Sequence, residues 1–191
     1  MTMKKTILAF LGSALLFASP LLHGAGSYEL DNVHSSVIFK IKHNDLSYYF
    51  GRFNDYSADI RWAENPADSR FRFTIQAASV DTHNERRDNH LRSNDFFSAR
   101  QHPEIQFASR EVKKTGDNTY EITGDLTLLG ETKPITFTWK ETGAGEGPRG
   151  DHRRGGITTF TIKRSDFGMN YMLNRLSDEV EMTVSLQMIR Q

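Results

Sequence analysis

The chain has 191 residues, of which 37% are hydrophobic, and its 24 basic side chains balance 24 acidic ones. This length suits one domain with a core of its own. The neutral balance argues against nucleic-acid binding, because proteins of that class carry a basic surface. The absence of cysteine excludes disulfide bonds and a lipoprotein anchor.

Residues 1–25 have the pattern of a cleaved secretory signal peptide. Lys4 and Lys5 provide the charged start, and an apolar run over 7–22 is broken by Pro20. An uncleaved membrane anchor is the alternative, which the short run and its proline disfavour. We therefore expect residues 26–191 to form the mature domain in the periplasm, without stable membrane insertion.

The mature region alternates apolar and polar residues with a period of two, as strands do when they bury one face. In chain order, eight runs cover residues 33–41, 56–62, 71–77, 105–107, 120–128, 135–139, 160–162 and 180–188. Turn signals such as Glu64-Asn65-Pro66 separate most of them. The glycine-rich stretch 143–156 is predicted to be a mobile loop.

Two segments depart from the strand pattern. Thr82 with Glu85 three residues later fits a capping box, which predicts a short helix over 84–93. Leu91 is its only apolar residue, so we expect this helix to cap one end of the fold instead of entering the core. A second short turn or helix is predicted over 45–50.

Eight antiparallel strands joined mostly by short turns predict an all-β fold, either an up-and-down barrel or a sandwich. A barrel of this size is either filled by its side chains or holds one small ligand, and the strand pattern leaves both alternatives open. Six large residues are expected to face inward and to line such a cavity: Phe39, Phe71, Phe73, Phe107, Phe137 and Trp139.

No catalytic or metal-binding signature is found. The seven histidines include no H-x-x-x-H pair, and no G-x-S-x-G nucleophile elbow occurs. We therefore expect no catalytic residues, no metal and no cofactor. The arginines of the predicted helix could hold a phosphate. Alternatively they pair with carboxylates of the same helix, as Asp88 and Arg92 would at their i,i+4 spacing.

Several blocks of the chain closely resemble the YceI family. Within residues 79–107 they read S-V-D-T, E-R-R-D-x-H-L-R-S-x-D-F-F and H-P-x-I-x-F, and residues 124–137 read GDLTLLGETKPITF. The resemblance implies an extended, lipocalin-like, eight-stranded antiparallel barrel over residues 26–191. Its interior would hold a polyisoprenoid or another long apolar lipid, such as a quinone tail, and the six inward residues would contact it.

The same resemblance directs attention to the barrel ends. Polar residues expected there are candidates for contacts with a lipid head group: His43, Asn44, Arg52, Arg86 and Arg92. An apolar segment over 167–173 forms either a lid or a packed barrel end.

The favoured function is periplasmic transport or storage of an isoprenoid-type lipid by a protein that is not an enzyme. The resemblance also makes a homodimer possible, because family members commonly pair. Two alternatives stay open. One is a periplasmic hydrolase acting on an apolar substrate, and the other is a stress-related protein-interaction module.

Overall fold

The computed structural model describes residues 25–191, so the predicted signal peptide lies outside the described residues except for Ala25. Short 3₁₀ turns occupy Pro66–Asp68, Ala77–Ser79 and Arg164–Phe167. The strands and the α-helix are β1 (Gly26–Leu30), β2 (Ser36–His43), β3 (Ser47–Phe53), β4 (Tyr56–Trp62), β5 (Arg70–Gln76), β6 (Val80–Asp81), α1 (Glu85–Arg92), β7 (Glu104–Gly116), β8 (Thr119–Leu128), β9 (Glu131–Glu146), β10 (His152–Lys163) and β11 (Leu176–Arg190).

The strands form one closed antiparallel barrel. Closure comes from β1, which pairs with β4 on one side and with β11 on the other. β2 continues the course of β1 along β11, β3 leads into β4, and β6 follows β5. Each of these three pairs acts as one interrupted strand, so the barrel has eight strands, each beside its predecessor. The predicted eight-stranded up-and-down barrel is confirmed.

The barrel is long because its C-terminal strands are long. β9 has 16 residues and β11 has 15. At about 3.3 Å per residue, such strands extend about 50 Å. No helix among residues 25–191 is long and apolar enough to cross a membrane.

The short turn or helix predicted over residues 45–50 is present only as a turn over 44–46, and the rest of the prediction was wrong because β3 begins at Ser47. The run has aromatic residues on both faces, with Tyr49 bordering the interior and Tyr48 and Phe50 exposed, so no period-two signal is visible. The preceding turn is tight, since Asn44 and Asp45 both adopt positive φ. These residue types tolerate that conformation.

The mobile loop predicted over residues 143–156 was also wrong in extent, since only residues 147–151 connect β9 and β10. β9 runs to Glu146 and β10 begins at His152, and the two pair through this region with a bulge between Gly155 and Gly156. Close packing against Trp139 explains why residue 156 is a glycine. A Cβ at this position would lie 2.3 Å from Cζ2 of Trp139.

Helix α1 is confirmed, but its predicted cap is wrong. The N-cap is Asn84, whose side chain accepts a hydrogen bond from the backbone N–H of Arg87. Thr82 lies further back, and His83 separates it from the helix with a positive φ. The backbone N–H and the hydroxyl of Thr82 both donate to the buried carboxylate of Asp88, which fastens the helix to the end of β6.

The interior has two clusters of buried apolar side chains, one toward each end of the barrel. The cluster near α1 includes Val37, Val80 and Phe96, and the other includes Trp62 and Trp139. Several inward aromatic residues between and beside them are only half-buried, among them Phe73, Phe107 and Phe137. These half-buried side chains border a space inside the barrel.

Candidate functional site

A cavity of ≈ 420 Å³ lies inside the barrel. All six residues predicted to face inward border it: Phe39, Phe71, Phe73, Phe107, Phe137 and Trp139. Aliphatic and methionine side chains complete much of its wall, including Ile122, Leu126, Met182, Val184 and Met188. The cavity excludes the filled-barrel alternative, while the contribution of these residues to ligand binding stays a prediction.

The aromatic side chains contact each other across the wall. Phe107 and Phe137 lie 5.3 Å apart between ring centroids although β8 runs between their strands. Gly124 of β8 makes room for this contact, because a Cβ there would lie 2.5 Å from the Phe107 ring. Phe137 in turn stacks on Phe160 at 5.1 Å. The result is a continuous apolar wall across β7, β9 and β10.

A set of buried polar side chains lies beside Trp62 at one end of the cavity. The guanidinium of Arg154 lies 3.8 Å from the ring centroid of Trp62 and donates to the Glu141 carboxylate at 2.8 Å. Both partners are at most 10% exposed. Beside them Tyr28 lies 3.2 Å from Nδ1 of His152, and burial raises the pKa of its phenol. This end therefore carries buried charges that neutralise each other.

Helix α1 covers the opposite end. Leu91 borders the cavity, together with Phe96 and Phe97 just beyond the helix. Arg87 also borders it, donates to the hydroxyl of Thr82 at 2.7 Å, and stacks on Tyr49 at 4.7 Å. The predicted role of this helix as a cap is therefore what the contacts show.

A family model described as YceI-like domain matches residues 28–188. The chain belongs to this family. It is similar to a UPF0312 protein of Pseudomonas aeruginosa, with 42% identity over 193 residues covering 99% of this chain and 100% of the relative. Its fold is similar to that of the Campylobacter jejuni YCEI protein, with a TM-score of 0.72 and 33% identity over 78% of this chain and 90% of the other.

A third structure shares the fold at low sequence identity. It is a polyisoprenoid binding domain from Saccharophagus degradans implicated in plant cell wall breakdown. The TM-score is 0.70, with 15% identity over 86% of this chain and 98% of that domain. At this identity the likeness shows the barrel fold alone.

In this YceI-like protein, the apolar segment over 167–173 packs on the barrel end. Phe167 and Met169 are buried, while Tyr171 and Leu173 are about two-fifths exposed. Arg164 holds the segment. It is 1% exposed, and its guanidinium donates to the carbonyls of Met169, Tyr171, Leu176 and Ser177. Burial lowers the pKa of Arg164.

The role of Arg164 could not be predicted from the sequence, because its carbonyl partners depend on the path of the chain and not on a motif.

Of the five residues predicted to contact a head group, only His43 borders the cavity. Asn44 lies in the adjoining hairpin turn, with its side-chain nitrogen 3.2 Å from Nε2 of His43. Arg52 faces solvent and donates to Asn54, and Arg86 is exposed on α1. The structure therefore does not bring the five together, and a head-group role for His43 stays a prediction.

Arg92 does not border the cavity and instead contacts the protein backbone. It donates to the carbonyls of Ala78 and Val80 at 2.7 and 2.8 Å, and Asp88 bonds to Thr82. The predicted Asp88–Arg92 pair is therefore replaced by contacts of each residue with the barrel. Arg87, which sequence reasoning left out of the head-group set, is the α1 arginine that reaches the cavity.

No cluster of three or more metal-ligating side chains occurs in the part of the chain from 25 to 191. Near the α1 end, His90 lies 2.8 Å from a carboxylate oxygen of Asp95 and packs against Tyr171.

Proposed function

We propose that this YceI-like protein binds a long-chain, isoprenoid-type lipid in its barrel and carries or stores it in the periplasm. The observation that carries this proposal is the cavity of ≈ 420 Å³ with its aromatic and aliphatic walls. The Saccharophagus domain of the same fold, named for polyisoprenoid binding, supports the choice of lipid class. The signal-peptide pattern of residues 1–25 supports the compartment.

The walls suit a long apolar chain for a physical reason. Burial of each CH₂ group is favourable by about 0.8 kcal/mol, so a chain of ten or more carbons binds without many polar contacts. The backbone hydrogen bonds of the barrel fix the walls in advance, which avoids the cost of ordering a site on binding. Selectivity is then expected to follow chain length and head group.

The proposed activity includes no chemical step. A hydrolase needs a nucleophile or a pair of acid and base groups facing its substrate. Two histidines border the cavity, and Nε2 of His43 and of His90 contact Asn44 and Asp95. The hydroxyl of Thr82, which also borders it, donates to Asp88. These contacts favour a binding protein over the hydrolase alternative. Assembly as a homodimer stays a prediction.

A pair of tryptophan substitutions tests the proposal. Met182 borders the cavity and lies opposite Phe39 and Phe160 in the register of β11. Met182→Trp fills the cavity, whereas Thr161→Trp adds the same side chain at an exposed position of β10. Binding of a fluorescent polyprenyl probe is measured by titration, with circular dichroism to verify folding.

The expected result is one probe per protein for the parent and for Thr161→Trp, with at least about tenfold weaker binding for Met182→Trp, which corresponds to about 1.4 kcal/mol. Failure of the parent to bind, or equal binding by the folded Met182→Trp variant, would contradict the proposal.

A further inference from the structure

Two polar atoms in the cavity wall have no hydrogen-bond partner within residues 25–191. They are Nε1 of Trp139 and Oγ1 of Thr158. Both residues are 5% exposed, and both border the cavity. Buried polar groups are nearly always paired in folded proteins, because leaving one unpaired is destabilising. Two such atoms in one apolar cavity indicate that a bound molecule supplies their partner.

The two side chains lie close together. The pairing of β9 with β10 ends at Lys140 and Ile157, and Trp139 and Thr158 are the next residue on each strand. The indole lies over Gly156, since a Cβ there would be 2.4 Å from Cε2, the carbon bonded to Nε1. Gly156 and Thr158 are two residues apart on one face of β10, a spacing of about 7 Å. One ligand group can therefore reach both polar atoms.

The chemistry of the two atoms limits what that group is. An indole N–H only donates, while a threonine hydroxyl donates or accepts. The ligand atom facing Trp139 must therefore be an acceptor, which excludes an ammonium group and the end of a plain hydrocarbon. A carbonyl oxygen accepts from both residues, and a hydroxyl oxygen accepts from Trp139 and donates to Thr158.

An anionic head group fits poorly at this end. A buried anion needs a cation or several donors to offset its lost hydration. The buried guanidinium at this end belongs to Arg154, which already pairs with Glu141 and lies over Trp62. Its charge is therefore balanced before any ligand binds. A neutral oxygen-bearing group can hydrogen-bond to Trp139 and Thr158 without the cost of desolvating an anion.

We infer that the inner end of the cavity binds the neutral carbonyl or hydroxyl oxygen of a lipid head group, held by Trp139 and Thr158. The lipid lies with its head inside the barrel and its chain toward α1. This inference rests on the proposed function, because it assigns the head-group class and the orientation of the same ligand.

Three C20 probes test it on the purified protein: a prenyl alcohol, the matching prenyl hydrocarbon and the prenyl phosphate. Their affinities are measured by displacement of a fluorescent alkyl probe. The alcohol is expected to bind about tenfold more tightly than the hydrocarbon, which corresponds to two ordinary hydrogen bonds. The phosphate is expected to bind less tightly than the alcohol.

The variants Thr158→Val and Trp139→Phe are each expected to reduce the preference for the alcohol over the hydrocarbon several-fold. Thr159→Val, one residue away on the exposed face of β10, is the matched control and keeps the full preference. Thr158→Val preserves the shape of the side chain and removes an unpaired hydroxyl. Its melting temperature without ligand is therefore expected to equal or exceed that of the parent, and a clear decrease would overturn the inference.

A spectroscopic signal reports the contact directly. The chain has two tryptophans, Trp62 and Trp139, so two indole N–H signals are expected in a ¹⁵N NMR spectrum, and Trp62→Phe assigns them. The alcohol is expected to shift the Trp139 signal downfield, whereas the hydrocarbon leaves it near its original position. Equal affinities of the two probes with an unmoved Trp139 signal would overturn the inference and leave the proposed function intact. Failure of every probe to bind the parent would contradict the proposed function itself.

Discussion

Arg164 holds the apolar segment over residues 167–173 against the α1 end of the barrel. Its guanidinium donates hydrogen bonds to four backbone carbonyls, and it is 1% exposed. A planar fork of donors suits several carbonyls at once, which the compact ammonium of lysine does not.

Arg164→Lys is therefore expected to lower the free energy of unfolding by about 2–4 kcal/mol, because buried carbonyls lose their donors. Arg175→Lys is the matched control, since Arg175 is exposed in the same region and its replacement is expected to change stability by less than about 0.5 kcal/mol. Urea denaturation measures both. Equal stability of the two variants would show that the four hydrogen bonds do not hold the segment.

The residues of the site divide according to the kind of signal that each leaves in the sequence. The six aromatic residues of the wall could be predicted, because alternation along a strand determines which face a side chain occupies. Arg164 could not, because its partners are backbone atoms brought together by the chain path. Thr158 could not either, since its significance depends on an apolar environment that arises only when β9 and β10 come together.

Helix α1 is attached to the barrel by side chains at both of its ends. Asn84 caps its first turn, Asp88 accepts from Thr82, and Arg92 donates to the carbonyls of Ala78 and Val80. With a single apolar residue before Phe96, the helix depends on these polar contacts more than on burial.

Asn84→Ala is expected to destabilise the protein by about 1 kcal/mol, because the N–H of Arg87 loses its acceptor. Arg86→Ala, on the exposed side of the same helix, is expected to change stability by less than about 0.5 kcal/mol. Thermal denaturation of both variants provides the comparison. An Asn84→Ala variant as stable as the parent would contradict the assignment of the cap.

Predictions at the scale of elements succeeded where local pattern and tertiary pairing agree. Strand β3 was missed because aromatic residues occupy both of its faces, and the long ends of β9 and β10 were missed because glycines dominate there. In both places a neighbouring strand supplies the hydrogen bonds and overrides weak local preference. The capping box failed because the positive φ of His83 moves the start of the helix beyond Thr82.

Distant parts of the whole chain are joined by hydrogen bonds to Asp31. Asp31 follows β1 and accepts hydrogen bonds from His34 at 2.9 Å, from Arg153 of β10 at 2.8 Å and from Gln187 of β11 at 3.3 Å. The hydrogen bond from His34 is the largest cause of the lowered pKa of Asp31, and Arg153 adds to it.

The sign of the resulting pH dependence follows from that direction. A carboxyl with a lowered pKa in the folded state stabilises the protein fully above its ordinary value of 3.8, and this stabilisation is lost as the pH falls through the lowered pKa. The melting temperature of the parent is therefore expected to decrease more steeply than that of Asp31→Asn as the pH falls below about 4. Asp117→Asn, in an exposed turn, is the control and should follow the parent. Parallel curves for the parent and Asp31→Asn would contradict this role.

At the scale of the molecule, period-two alternation predicted an all-β barrel or sandwich, and the family resemblance selected the closed barrel and added a hollow interior. Whether an eight-stranded barrel is hollow depends on how its side chains fill the space. That property arises from the whole set of inward residues, among them glycines such as Gly124 that let rings lie flat against the wall, and it is visible only in three dimensions.

The central claim is that this interior is a lipid-binding cavity. It is tested most directly by mass spectrometry of an organic extract from the protein, purified from its native cells without detergent. The account predicts about one long-chain prenyl or similar lipid with a neutral oxygen-bearing head per protein, and little lipid in an extract of Met182→Trp. An extract without lipid, from a protein that also fails to take up a polyprenyl probe, would contradict it.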